Sequence, residues 1–102
     1  MITIALIFLF AAVPADATDS AAVFKTNCAA CHGADGRGQS PMGKALHVKD
    51  LASDDVQALS DQQLKTIIAE GKGKMPAYKS KLSDDDIAAL VAFIRTLRPP
   101  KQ

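Results

Sequence analysis

The chain contains no tryptophan, only two cysteines and two histidines, and its formal net charge at pH 7 is +1. A structural zinc site normally takes four protein ligands, so this chain could build one only with every cysteine and histidine it has. The nearly balanced charge gives no sign of nucleic-acid binding. Patterns typical of β-strands are almost absent, which argues against a thioredoxin-like fold. These absences indicate a small helical protein in which few residues can bind a metal or a cofactor.

The N-terminus is the one long apolar segment. An apolar run over residues 1–13 is followed by Pro14 and the small-residue sequence Ala15-Asp16-Ala17. This order predicts a signal peptide over residues 1–17, a single domain over residues 18–102, and export to the periplasm or a compartment like the thylakoid lumen. The run has no preceding Lys or Arg, and it is shorter than the about 20 residues that span a membrane. A retained N-terminal anchor is the second interpretation.

Both cysteines lie in the sequence Cys28-Ala29-Ala30-Cys31-His32. Residues three and four apart share one face of a helix, so two thiols and an imidazole can meet the same flat ligand. Cys-x-x-Cys-His is the attachment signature of a covalently bound haem. The spacing predicts thioether bonds from Cys28 and Cys31 and an axial iron bond from His32. A disulfide between the two cysteines is the chemical alternative.

Capping residues and apolar spacing predict three helices in one all-α domain. The first covers about residues 20–31, the second lies between Ser60 and Gly71, and the third lies between Ser83 and Pro99. Loops are expected at 33–41 and 71–78, and an irregular stretch at 42–55.

The iron needs a ligand opposite His32, and Met75 is the best candidate. It lies in a glycine-rich loop between two predicted helices and is followed by Pro76, far enough along the chain to cross the porphyrin. Met42 and His47 are the competing ligands, and simple packing of Met75 in the core is the alternative role. Two strong-field axial ligands leave no vacancy for oxygen or peroxide, which suits electron transfer.

These residues together resemble the class I cytochromes c, the small single-haem carriers. The resemblance rests on the haem motif, on Phe24 in the first helix, on Leu90 and Phe93 in the last helix, and on the segment Met75-Pro76-Ala77-Tyr78. It implies N- and C-terminal helices that cross, a further helix and loops around one haem c, and His/Met ligation. It also implies electron transfer rather than an enzymatic reaction.

The resemblance further implies a haem pocket that includes Leu46, Pro76, Tyr78 and Lys44, with a backbone carbonyl near Lys44 accepting the Nδ1 hydrogen of His32. Here the sequence departs from the family, because Gly43-Lys44-Ala45-Leu46 stands where many relatives have Gly-Pro-x-Leu.

The resemblance implies redox protein partners that dock at an exposed haem edge. We expect an acidic partner surface to meet lysines near the pocket mouth, namely Lys44, Lys72, Lys74, Lys79 and Lys81, since long-range attraction speeds association. A solvated lysine face without a specific role is the alternative. An electron-input subunit of a larger oxidase or dehydrogenase is the second functional hypothesis. A haem enzyme with an open sixth position would need a distal acid–base residue, and only His47 or Arg37 is available.

Overall fold

The computed structural model describes residue 5 and residues 19–99, so the predicted signal peptide lies almost wholly outside the described residues. The helices are α1 Ser20–Asn27, α2 Ala29–His32, α3 Pro41–Leu46, α4 Asp54–Gln57, α5 Asp61–Glu70 and α6 Asp84–Thr96. Between residues 19 and 99 there is no strand, only an isolated antiparallel bridge between Lys72 and Met75. The all-α prediction is confirmed. No helix in this part of the chain is long and apolar enough to cross a bilayer.

The two long helices begin where their capping residues predict. At α5 the Ser60 hydroxyl accepts from the Gln63 N–H at 3.1 Å, and the Gln63 side chain accepts from the Ser60 N–H at 2.8 Å. Ser83 and Asp86 form the same reciprocal pair at the start of α6. Each pair satisfies two N–H groups that have no partner inside the helix.

Helices α1 and α6 pack against each other at the centre of the core. Phe24 on α1 and Leu90 on α6 are almost completely buried, at 2% and 1% exposure. The Phe24 ring lies 4.7 Å from the Phe93 ring, tilted by 36°. The remaining buried apolar residues are Leu51, Val56, Leu64, Ile68, Ile87, Val91 and Ile94. The predicted packing of the first helix against the last is therefore present.

The segments between the long helices contain more structure than expected. The first predicted helix stops at Asn27, and Cys28 separates it from the short α2. The stretch expected to be irregular contains α3 and α4, which are capped by Ser40 and Ser53. Helices of six and four residues are too short to show apolar periodicity, and their capping residues were the available signal.

A polar cluster of Gln57 and Arg95 joins α4 to α6. The Gln57 amide, only 9% exposed, donates to the carbonyls of Leu51 at 2.7 Å and Ile94 at 3.0 Å. Arg95 donates to the Gln57 carbonyl at 3.0 Å and forms an ion pair with Asp61 at 2.9 Å. Buried polar groups cost free energy unless they are paired, so this cluster holds the middle segment in one position against α6.

Candidate haem site

The two cysteines lie where α1 gives way to α2. Cys28 ends α1, and its carbonyl accepts from the N–H groups of Cys31 at 3.2 Å and His32 at 2.9 Å. Both thiols are free and half-buried. Burial, with a smaller contribution from Cys31, raises the pKa of the Cys28 thiol to about 11. Two unpaired thiols one turn apart, beside an imidazole, form the donor set that haem attachment requires.

The loop after His32 holds the backbone of this motif in place. Ser40 donates from its hydroxyl toward the carbonyls of Ala30 and Cys31, both at 2.9 Å. The Gly38 N–H donates to the His32 carbonyl at 2.7 Å. Gly43 packs so closely that a Cβ there would collide with the Cys31 carbonyl. Sequence reasoning missed these supporting residues, although Ser40-Pro41 is a typical pair at a helix start.

His32 is held with one ring nitrogen available for iron. Its Nδ1 lies 3.4 Å from the carbonyl oxygen of Lys49. A carbonyl only accepts hydrogen bonds, so this contact places the proton on Nδ1 and leaves a lone pair on Nε2. Burial lowers the pKa of His32, and the Lys49 contact partly offsets this effect. The imidazole is therefore suited to be a neutral metal ligand whose orientation is set by its other nitrogen.

The carbonyl that contacts Nδ1 of His32 lies at Lys49, farther along the chain than the position expected near Lys44. Lys44 lies within α3, and its carbonyl accepts from the N–H of His47 at 3.4 Å. The acceptor is five residues later, at Lys49, and the leucine two residues beyond it is Leu51, which is buried in the core. The expected carbonyl lay in the segment around Lys44, but this segment forms the unpredicted helix α3. Leu46 is half-buried, and its contact with the haem remains a prediction.

Met75 lies in the loop 71–82, which folds back on the end of α5 and is called the methionine loop below. Its N–H donates to the Lys72 carbonyl at 3.0 Å, and its carbonyl accepts from the Lys72 N–H at 3.1 Å. The side chain is half-buried and packs against the core, whereas Pro76 is exposed. The competing ligands face solvent: Met42 is 53% exposed, and His47 is an exposed C-cap with a φ of 55°.

Tyr78 brings this loop to the cysteine motif. Its hydroxyl donates to the carbonyl of Asn27 at 2.9 Å, one residue before Cys28. Burial is the main cause that raises the pKa of Tyr78, and Cys28 and Cys31 add to it. The methionine loop and the Cys-x-x-Cys-His motif therefore meet at one side of the core.

The five lysines of the predicted docking surface are all exposed. They differ in their surroundings. Lys79 forms an ion pair with Glu70 at 3.2 Å, while the ammonium of Lys81 lies 5.8 Å from the centre of the Tyr78 ring. Lys72 and Lys74 lie within this loop, just before Met75. Positive charge is thus concentrated on the segment that carries Met75.

Comparison with known proteins gives a consistent result. The family described as cytochrome c oxidase, cbb3-type, subunit III matches residues 15–94. Cytochrome c6 of Leptolyngbya boryana is 41% identical over 83 residues, which cover 78% of this chain and 91% of that protein. The cbb3-type cytochrome c oxidase subunit FixP of Rhizobium meliloti (strain 1021) is 40% identical over 78 residues, covering 74% of this chain but only 25% of FixP.

A solved structure shows that the fold is shared as well. The c-type cytochrome KustC0563 superposes with a TM-score of 0.74 at 30% sequence identity, over 80% of this chain and the whole of that one. The family match covers most of the chain, and the donor set suits the prosthetic group that such proteins carry. This chain belongs to the c-type cytochromes as a small class I cytochrome c, an electron carrier with one covalently bound haem c.

Proposed function

We propose that Cys28 and Cys31 attach the haem, and that His32 and Met75 bind its iron from opposite sides. In each attachment the cysteine sulfur bonds to one carbon of a vinyl group while the thiol hydrogen passes to the other carbon. The observation that carries the proposal is the Tyr78–Asn27 hydrogen bond, which joins the methionine loop to the cysteine motif. The free thiols and the unprotonated Nε2 of His32 support it.

The ligand pair suits an electron carrier. The iron supplies a one-electron Fe(III)/Fe(II) couple, and a methionine–histidine pair raises its potential relative to other ligand sets. The protein's part is to hold two ligands rigidly and to leave no open coordination position. The bridge between Met75 and Lys72 and the packing of Met75 against the core support this role. Arg37 and His47, the residues that a peroxidase-like reaction would require, are exposed.

The carrier is proposed to work outside the cytoplasm, between redox protein partners that dock at the exposed haem edge and its surrounding lysines. The signal-like N-terminal segment supports export, because c-type haem is attached outside the cytoplasm in bacteria. The similarity to one quarter of FixP favours a second candidate function, in which this chain delivers electrons as part of a larger oxidase. Co-purification with an oxidase from membranes would favour that alternative over a free carrier.

Replacing Met75 with Ala tests the ligand assignment. The ferric protein is expected to lose its sulfur-to-iron absorption band. Its midpoint potential should fall by a substantial part of the roughly 0.8 V that axial-ligand identity spans. Met42→Ala is the control, because that side chain is 53% exposed on α3. A Met75→Ala protein with an unchanged spectrum and potential would exclude Met75 as a ligand.

A further inference from the structure

Tyr78 connects three parts of the protein that surround the methionine loop. Its N–H donates to the Ile68 carbonyl of α5 at 3.0 Å. Its own carbonyl accepts from the N–H groups of Lys81 and Leu82, both at 2.9 Å. Its hydroxyl reaches across 51 positions of the chain to the carbonyl of Asn27. The backbone bonds hold the residue beside α5, and the hydroxyl bond joins it to the end of α1.

Within residues 19–99, this phenol bond is the only hydrogen bond between the loop 71–82 and the segment that carries Cys28 and His32. The other bonds of the loop lie within itself or run to the end of α5. Asn27 is the last residue of α1, so its carbonyl has no partner in the next turn of that helix. The phenol therefore satisfies a half-buried acceptor at the end of α1 and joins the loop to the start of the motif.

We propose that Tyr78 is a positioning residue that holds Met75 against the haem-binding segment through its hydrogen bond to the Asn27 carbonyl. This inference rests on the proposed ligation by His32 and Met75. This role implies two forms of the protein: a closed one with Met75 in place, and a minor one with the loop lifted. An external ligand competes only for the lifted form, so its apparent affinity reports the fraction of that form.

The experiment is imidazole binding to the ferric holoprotein, followed by the sulfur-to-iron band. Tyr78→Phe removes the hydroxyl and retains the ring. The loss of one hydrogen bond is expected to tighten apparent imidazole binding by about three- to tenfold. The unliganded variant keeps its sulfur-to-iron band, because the closed form still predominates.

Thr66→Val is the matched control. Its hydroxyl also donates to a backbone carbonyl, that of Gln62 at 2.9 Å, but it lies on the exposed face of α5. Denaturant unfolding of both variants corrects for any general loss of stability. Tighter imidazole binding in Tyr78→Phe but not in Thr66→Val supports the positioning role.

Two results would overturn the inference. Imidazole affinity of Tyr78→Phe equal to that of the unsubstituted protein would mean that the phenol bond does not hold the loop. Tighter imidazole binding in Tyr78→Leu, which also lacks the ring, but not in Tyr78→Phe would assign the effect to packing of the ring. Failure of the ligand assignment itself is recognised separately: the unsubstituted protein would then lack the sulfur-to-iron band, or Met75→Ala would retain it.

Discussion

Gly71 is the residue on which the path of the methionine loop depends most directly. It ends α5 with φ 77° and ψ 171°, a backbone region that essentially only glycine occupies. A Cβ at this position would lie 2.6 Å from the Met75 carbonyl oxygen and 2.9 Å from the Ala77 nitrogen. Both are backbone atoms, so no side-chain rotation can relieve the contact. Gly71→Ala must therefore move the loop away from α5.

The cost can be estimated against a matched position in the same loop. At Gly71 the backbone strain is about 1–3 kcal/mol, and the overlap with fixed atoms adds about 1–3 kcal/mol. Gly73 has a φ of 56° with nothing within 4 Å of a Cβ, so Gly73→Ala costs only the left-handed conformation, about 1–2 kcal/mol. Gly71→Ala is expected to lower the free energy of unfolding by roughly 1–4 kcal/mol more than Gly73→Ala.

Denaturant unfolding of the two ferric holoproteins measures this difference, and their spectra without denaturant report the ligand. We expect Gly71→Ala to weaken or lose the sulfur-to-iron band, whereas Gly73→Ala retains it. Equal stability losses in the two variants, with both bands intact, would refute the reasoning that Gly71 is required for the approach of Met75.

Two further predictions concern the core and the charged surface. Gln57→Ala leaves the carbonyls of Leu51 and Ile94 without their buried partner and should lower the free energy of unfolding by about 2–4 kcal/mol. The exposed Gln62→Ala should change it by less than about 0.5 kcal/mol, and identical denaturation midpoints would contradict the role of Gln57. The reduced protein should transfer electrons to ferricyanide more slowly as salt is added, because at 0.1 M the Debye length falls to about 10 Å. Lys81→Glu should slow this reaction more than the α1 substitution Lys25→Glu; equal rates would favour a lysine face without a specific role.

Features that depend on neighbours in the chain were predictable. The capping box of Ser60 and Gln63 and the N-cap at Ser83 involve residues three apart, and both form as expected; the return bond from Asp86 to Ser83 was not predicted. The Cys-x-x-Cys-His motif predicts its own chemistry because its spacing alone brings the donors to one face. The crossing of the first and last helices followed from the family resemblance, and the Phe24–Phe93 contact confirms it.

Features that depend on contacts between distant parts of the chain could not be predicted from the sequence. The carbonyl that orients His32 lies 17 residues away, and α3 shifts it five residues from the expected Lys44. Gln57 looked like an ordinary polar residue until the fold placed it beside α6, and Arg95 reaches it across 38 positions. Tyr78 likewise showed no sign of its bond to Asn27.

The sequence by itself determined where the two long helices α5 and α6 begin and how the haem-attachment motif is spaced, because hydrogen bonds and spacings within a few residues specify these features. Only the tertiary structure decided which carbonyl orients His32, which polar side chains are buried, and what holds the methionine loop to α1. These features depend on contacts between segments that only the packing of the whole core brings together. A local sequence pattern does not specify which residues meet in that packing.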